Sequence, residues 1–435
     1  MTKIYYPTLD LFYYYATSGL GVTKEEIDSI NTYWKGIQDK NSSNNNPIEF
    51  KKEEYHYRFL RKNLGDSSCF NFDCSFDEKN LPQTSSVITT LRKRLKPLPP
   101  DSSPLYLGRT WMIYGFVDHD CDSFQLAKDL YKNLVKTNWQ YQRKGKLLGA
   151  TVVEAWQSHQ EWETPHRGSH VLIILYPNYD SYKKASESIY DTWIKLLLYR
   201  HKVWNSYQKS RQNKADISKA FNEIVPVLKD HNNYDLVELG ISLKSIRQTL
   251  TTYNNNLHNI NIRQQTINTN LHNYKLAVKQ LISKANDVYI INYFWINDLK
   301  FLDIFSKIAE MKYERQLERD YATLAPGLAV LTGLTETIRG LVEVQQAEID
   351  RHQTNTIAIV GLGLAASSAA AGIAATQVYQ PSQPTSLPTG LPTGWLGVDS
   401  RIHWGQGLLW SLSPTAIAIA FLAFLWYQHH RKLNK

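Results

Sequence analysis

Cysteine is scarce in this chain of 435 residues, which contains only Cys69, Cys74 and Cys121. An odd number of cysteines does not favour a disulfide framework, and three thiols exclude a four-cysteine zinc site. The spacing of Cys69 and Cys74 also differs from that of a CxxC redox motif. We therefore expect reduced thiols, as in proteins of a reducing compartment.

The motifs of common catalytic sites are absent as well. The sequence contains no Walker motif, no nucleophile elbow and no zinc-hydrolase helix. The closely spaced Gly361 and Gly363 fall inside an apolar run, so they do not indicate a phosphate loop. We predict a protein that is not an enzyme.

Positive charge is present but is not concentrated in one patch. The formal net charge is +9 at pH 7. The densest basic cluster, 92–96, runs directly into the prolines of 97–100, which is typical of a solvated linker. We therefore expect no nucleic-acid partner, and the charge favours anionic lipid head groups or a small nucleotide as partners.

Two runs near the C-terminus, 355–378 and 407–427, contain no Asp, Glu, Lys or Arg. Each reaches the length of about 20 residues that crosses a bilayer core as a helix. Basic residues at 431–435 follow the second run, and the positive-inside rule places this tail in the cytoplasm. The sequence thus predicts an integral membrane protein, of the bacterial inner membrane, whose N-terminal domain and C-terminal tail are cytoplasmic.

Periodicity divides the chain before these runs. Strand patterns over 106–117, 147–156 and 170–176, with helical patterns over 123–135 and about 181–204, predict a small α/β domain. The predicted segments are an N-terminal cytoplasmic segment with polar and Pro/basic linkers (1–104), the α/β domain (105–205), a helical coiled-coil stalk (206–354), a first transmembrane helix (355–378), a Pro/Gly-rich external loop (379–406), a second transmembrane helix (407–427) and a basic tail (428–435). The predicted fold class is α+β, with two C-terminal transmembrane helices.

The strongest periodic signal is a heptad seam of alternating steps of four and three, which predicts a coiled coil. Its one amide, Gln264, is a residue type that can fix the register. We leave open whether the helix pairs within the chain or between chains. Pro326 and Gly327 are expected to break the helical pattern before a helix that starts at Leu328. The seam comprises Leu239, Leu243, Ile246, Leu250, Tyr253, Leu257, Ile260, Gln264, Ile267, Leu271, Tyr274, Val278 and Leu281.

The first apolar run has a face of small residues, which allows the close approach of another helix. We predict that this face packs against neighbouring helices or lines a pore. It comprises Gly361, Ala365, Ser368, Gly372, Ala375 and Thr376.

Two polar clusters follow predicted strands of the α/β domain, and both contain residue types that bind metal ions. A site for a divalent cation or another ligand is one interpretation, and ordinary polar loops are the other. The ligand candidates are Asp118, His119, Asp120, Asp122, His159, His166 and His170.

The order of segments resembles that of CorA-type divalent-cation channels, in which a stalk helix enters the first of two C-terminal spans. This resemblance covers 105–435 as topology, and it implies a homo-oligomer, a pentamer in that family. Where the family has Gly-Met-Asn, the chain has Ala375–Tyr379 (ATQVY), so magnesium selectivity is not implied.

Two stretches, IYYPTLDLFYYYATSGLG and ETIRGLVEVQQAEIDRHQTNTIAIVGLGLA, also resemble an uncharacterised family of cyanobacterial membrane proteins. CorA-like proteins also occur beside bacterial defence systems. The sequence therefore leaves three functions open, in this order: an oligomeric channel with a cytoplasmic regulatory domain, a membrane-anchored sensor or effector triggered by a ligand or nucleotide, and a coiled-coil membrane tether.

Overall fold

A sheet of nine strands runs through the part of the molecule that the computed structural model describes, residues 3–19, 21–41, 43–95, 102–156, 170–224, 236–288 and 297–352. The strands are β1 (Lys3–Ala16), β2 (Ile48–Lys52), β3 (Tyr55–Asn63), β4 (Ser67–Phe76), β5 (Gln83–Thr84), β6 (Tyr106–Phe116), β7 (Tyr141–Leu147), β8 (Ala150–Trp156) and β9 (Val171–Tyr176). Their order across the sheet is β2-β3-β4-β1-β6-β9-β8-β7, and β5 pairs with β1. All neighbours are antiparallel except β6 and β9, which are parallel.

The aromatic N-terminal run forms the central strand β1, which lies between β4 and β6. Leu9, Leu11 and Tyr13 face one side and Phe12 and Tyr14 face the other, and all five side chains are buried. Burial of both faces explains why the run is almost continuously apolar instead of alternating. Five of the nine strands, β1 to β5, therefore lie before residue 105, whereas the sequence pattern placed the α/β domain only at 105–205.

Strand β7 was not predicted because it lies at the edge of the sheet. Its sequence, YQRKGKL, is mostly polar, and most of its side chains are at least partly exposed. Lys and Arg on an edge strand oppose pairing with other chains. They also leave the strand without the hydrophobic alternation from which strands are predicted.

Helices cover both faces of the sheet. They are α1 (Lys24–Lys40), α2 (Val87–Arg94), α3 (Ser123–Val135), α4 (Tyr179–Ser188), α5 (Tyr190–Ile224), α6 (Leu236–Asp287), α7 (Lys300–Ile308) and α8 (Arg315–His352), with a π-helical segment, Ala309–Glu314, between α7 and α8. Helices α1 to α3 share a core with one face, and α4 to α8 share a core with the other. The sheet is thus the middle of three layers.

The predicted heptad seam lies on α6, and it packs within the chain against α5 and α8. Every seam residue is buried except Leu243, Leu250 and Gln264, which are partly exposed. Hydroxyl groups reinforce the packing, since Tyr253 donates to the Leu324 carbonyl over 2.6 Å and Tyr274 to the Leu302 carbonyl over 3.1 Å.

The predicted break at Pro326 is wrong, because Pro326 lies inside α8. Proline leaves the carbonyl four residues earlier, that of Ala322, without its helical donor. Both Pro326 and Ala322 are exposed, so water can bind that carbonyl and the helix continues. The helix predicted to start at Leu328 is the C-terminal part of α8.

The transmembrane part of the predicted fold class requires correction. Within the described ranges, no helix is both long and apolar enough to cross a membrane. The longest ones, α5, α6 and α8, are long enough, but they carry charged residues along their length. The described fold is a mixed sheet with long helices on one face. It replaces the predicted fold with membrane spans and the predicted inner-membrane location.

The remaining predictions for the C-terminal part fall outside the described residues. These are the spans 355–378 and 407–427, the loop 379–406, the tail 428–435, and the small-residue face of Gly361, Ala365, Ser368, Gly372, Ala375 and Thr376.

Candidate functional site

The first predicted ligand cluster follows β6, and its members have other partners. Asp118 accepts a hydrogen bond from the Tyr5 hydroxyl over 3.1 Å. Asp122 caps α3 by accepting from two backbone N–H groups of its first turn, over 3.1 and 3.0 Å. His119 and Asp120 are fully exposed, with 3.4 Å between Nδ1 and Oδ1.

The second predicted cluster lies apart from the first. His159 and His166 are outside the described residues. Since β6 and β9 are parallel, His170 lies level with Thr110, and Asp118 lies eight residues further along, about 26 Å at about 3.3 Å per residue. In the described part of the chain, no group of three or more His, Cys, Asp or Glu could hold a metal ion.

His170 instead belongs to a buried chain of hydrogen bonds, which we call the histidine chain: Glu154, His170, Thr110 and His201. The Nε2 of His170 lies 2.9 Å from Glu154 Oε1, and its Nδ1 lies 2.8 Å from Thr110 Oγ1. Thr110 Oγ1 is also 2.7 Å from His201 Nε2. Arg200 donates from Nε to Glu154 Oε1 over 3.2 Å. The chain thus links β8, β6 and the residue before β9 to α5.

Proton counting fixes the direction of these hydrogen bonds. A carboxylate only accepts, so His170 must donate from Nε2 to Glu154, and a neutral imidazole then accepts at Nδ1. Thr110 therefore donates its single hydroxyl proton to His170. His201 must donate from Nε2 to Thr110, so the hydrogen bonds run in one direction from His201 through Thr110 and His170 to Glu154.

The electrostatic surroundings agree with neutral histidines and an ionised glutamate. Burial, and after it the positive charge of Arg200, lower the pKa of His170 to about 4 against the opposing effect of Glu154. Burial also lowers the pKa of His201 well below its usual value. Burial alone would raise the pKa of Glu154, but Arg200 and His170 outweigh burial and bring it to about 2.

A second polar cluster lies on the same face of the sheet, under the start of α5. Asp10 of β1 and Asp73 of β4 are directly opposite each other in the register, and both are buried. We call them the acid pair. The Tyr190 hydroxyl donates to Asp10, and the Tyr114 hydroxyl donates to Asp73 over 3.2 Å.

Burial opposes ionisation of both carboxyl groups of the acid pair. Burial raises the pKa of Asp10 well above its usual value, and the negative charge of Asp73 raises it further. Burial also raises the pKa of Asp73, although its hydrogen bond with Asp10 opposes this rise. Two adjacent buried carboxylates cannot both ionise at low cost, so the surroundings favour the protonated form of Asp10.

A small pocket lies between the sheet and the α4–α5 junction, beside the acid pair. Its volume is about 10 Å³, the room that about one water molecule needs. Ser186 on its lining is exposed, so the pocket reaches the surface. It is lined by Met112, Tyr114, Ile174, Tyr176, Tyr182, Ala185, Ser186, Ile189, Tyr190 and Trp193.

Neither the acid pair nor most of the histidine chain was among the predicted site residues. One signal was present in the sequence, since Asp10 is the only charged residue in the run from Ile4 to Tyr15. A charged side chain in a strand buried on both faces needs a partner. The partner, Asp73, is remote in sequence, and only the pairing of β1 with β4 brings the two together.

Comparison of the chain with protein-family models, curated proteins and solved structures finds no match. The resemblance to CorA-type channels and to the cyanobacterial family therefore stays a prediction, and a functional proposal must start from the two clusters and the pocket.

Proposed function

We propose that the protein is a regulatory protein, not an enzyme, that binds a small cation in the pocket under α4 and α5 and responds through its long helices. One observation carries this proposal. Tyr114 and Tyr190 line the pocket, their hydroxyls bind the acid pair, and Tyr190 is also the first residue of α5. A ligand that contacts Tyr190 therefore acts on both the acid pair and the helix.

The chemistry and the size of the pocket favour a cation. Aromatic rings attract positive charge, and the hydroxyls of two of the tyrosines, Tyr114 and Tyr190, donate to buried carboxyl groups. A volume of about 10 Å³ suits a ligand the size of a water molecule and is too small for a nucleotide. We therefore favour the cation among the ligands that the sequence suggested.

The long helices offer a path for the response. Helix α5 has 35 residues and extends about 52 Å at the usual rise of about 1.5 Å per residue. In the C-terminal half of α5, Arg211 and Lys214 both bind the buried carboxylate of Asp320 on α8, over 2.7 and 2.5 Å. A shift at the start of α5 would thus reach α8 through paired charges and through the shared core with α6.

The histidine chain supports a structural role over catalysis. Its order of carboxylate, imidazole and hydroxyl is that of a catalytic triad. The hydroxyl of Thr110 is completely buried, however, and it lies between two imidazole rings. A substrate cannot reach it, so we assign the chain to holding α5 on the sheet. The homo-oligomer stays a prediction.

Thermal unfolding of the full chain with a panel of chlorides, of Na⁺, K⁺, NH₄⁺, Mg²⁺ and Ca²⁺, tests the proposal. At least one cation is expected to raise the midpoint, because a ligand at about 100 times its Kd stabilises by about 2.7 kcal/mol. Ser186→Trp should abolish that rise by covering the mouth of the pocket. Ser188→Trp, at an exposed position of α4 outside the lining, is the matched control.

Two results would contradict the proposal. One is a midpoint that no cation changes beyond the general effect of ionic strength. The other is an equal rise in wild type and in the Ser186→Trp variant.

A further inference from the structure

One segment of the helical layer is not α-helical. Between α7 and α8 the chain forms the π-helical segment Ala309–Glu314, which continues into both helices without a loop. In a π-helix the hydrogen bonds join residues five apart instead of four, so one such turn takes up one residue more than an α-helical turn. Such turns are rare, and where they interrupt α-helices they are frequently found at functional sites.

The burial pattern around this segment explains the extra residue. Phe305, Ala309, Tyr313 and Leu317 are all buried, and each follows the one before it by four residues. Three steps of four advance the chain by more than the about 10.8 residues of three α-helical turns. One additional residue in a wider turn therefore keeps the four side chains on one face. Met311 of this turn is 65% exposed, so the core does not need its side chain.

Helix α7, which precedes the π-helical segment, is fixed to the sheet. Asp298, two residues before the start of α7, exchanges backbone hydrogen bonds with Lys146 of β7 over 2.8 and 2.9 Å. Phe301 of α7 packs so closely on Gly145 of β7 that a Cβ atom placed there would lie 2.7 Å from its ring. The position of α7 is therefore set by β7.

Helix α8, which follows the segment, is fixed to α5 instead. Asp320 of α8 binds both Arg211 and Lys214 of α5. Within the segment, the ring of Tyr313 stacks on the ring of Tyr207 of α5, with 4.1 Å between the two centroids. A movement of α5 relative to the sheet would therefore carry α8 and leave α7 in place, so the chain between these two helices would have to change its conformation.

We propose that the π-helical segment is the hinge that lets α8 follow α5 when the pocket binds a cation. This inference rests on the proposed function, since it names the element that permits the response through the long helices. Each N–H group of the segment exchanges its carbonyl acceptor for a neighbouring one, which displaces α8 while α7 stays on the sheet. A regular α-helix from α7 to α8 would have no residue to spare for this exchange.

Deletion of Met311 from the full chain tests the inference, because it removes the extra residue and should convert the segment into regular α-helix. Met311→Ala is the matched control, since it keeps the number of residues. In wild type and in Met311→Ala, the chloride of the panel that raises the unfolding midpoint most should slow amide exchange around Asp320. The deletion variant should lose this change in exchange. The rise of the midpoint should remain in all three proteins, because the pocket is unaltered.

Slower exchange around Asp320 in the deletion variant, to the same extent as in wild type, would overturn the inference and leave the proposed function standing. The same holds if the deletion variant does not fold or loses the rise of the midpoint, since the extra residue should be dispensable for both. If no chloride raises the midpoint of wild type, or if none changes its exchange around Asp320, the proposed function is rejected and the inference with it.

Discussion

Replacing Glu154 with Gln is expected to lower the free energy of unfolding by about 3 kcal/mol, because the buried guanidinium of Arg200 then loses the carboxylate that it binds. The amide has nearly the same shape, so the loss reports the charge and not the packing. Urea denaturation measures the change. Glu343→Gln is the matched control, since Glu343 and Arg339 form an exposed pair that is worth at most about 1 kcal/mol.

The same substitution should change how stability depends on pH. In the folded protein the pKa of Glu154 is about 2, below its usual 4.5, so its contribution is present above pH 4.5 and is lost as the pH falls to 2. The pKa of His170, about 4 against 6.5, gives a contribution that is lost between pH 6.5 and 4. Wild type should therefore lose stability throughout acidification, and Glu154→Gln should lose the lower part of this dependence. Identical pH curves would contradict the assigned charges.

Gly108→Ala is expected to destabilise the protein by about 2–4 kcal/mol, the combined cost of overpacking and of a broken buried hydrogen bond. A Cβ atom at this position on β6 would lie 2.3 Å from Nδ1 and 2.7 Å from Cγ of His201. The Nε2 atom on the opposite side of that ring is hydrogen-bonded to Thr110. The ring therefore cannot move away without breaking the histidine chain. The midpoint of thermal unfolding measures the effect.

Gly36→Ala is the control for this prediction. Gly36 lies inside α1, and no atom of the described residues is within 4 Å of a Cβ placed there. Alanine is the better helix former by about 1 kcal/mol, so this variant should be as stable as wild type or slightly more stable. If Gly108→Ala proved equally harmless, the close packing of β6 against α5 would be wrong.

The sequence predicted α3 and the α6 seam from their helical period, and the strands β6, β8 and β9 from runs of apolar and β-branched residues. Strand β1 has a similar apolar run, but its partners β4 and β6 are remote in sequence, so its central place in the sheet was missed. Strand β7 was missed because its edge position makes it polar. Local patterns do not report which strands become neighbours.

Most of the candidate site could not be predicted from the sequence, for the same reason. His170 was predicted as a ligand candidate together with its sequence neighbours His159 and His166. Its partners in the structure are Glu154, Thr110 and, through Thr110, His201 of α5. Only the pairing of β6, β8 and β9 under α5 brings these side chains together, and the same holds for the acid pair.

Cation binding in the pocket and a response through the long helices are best tested by amide hydrogen exchange of the full chain, with and without the cation that gives the largest thermal shift. Slower exchange is expected in α4 and the first turns of α5, which cover the pocket, and also around Arg211, Lys214 and Asp320, where α5 meets α8. Slower exchange confined to the pocket would contradict the response through the helices. Unchanged exchange in α4 and α5 would contradict binding at this site.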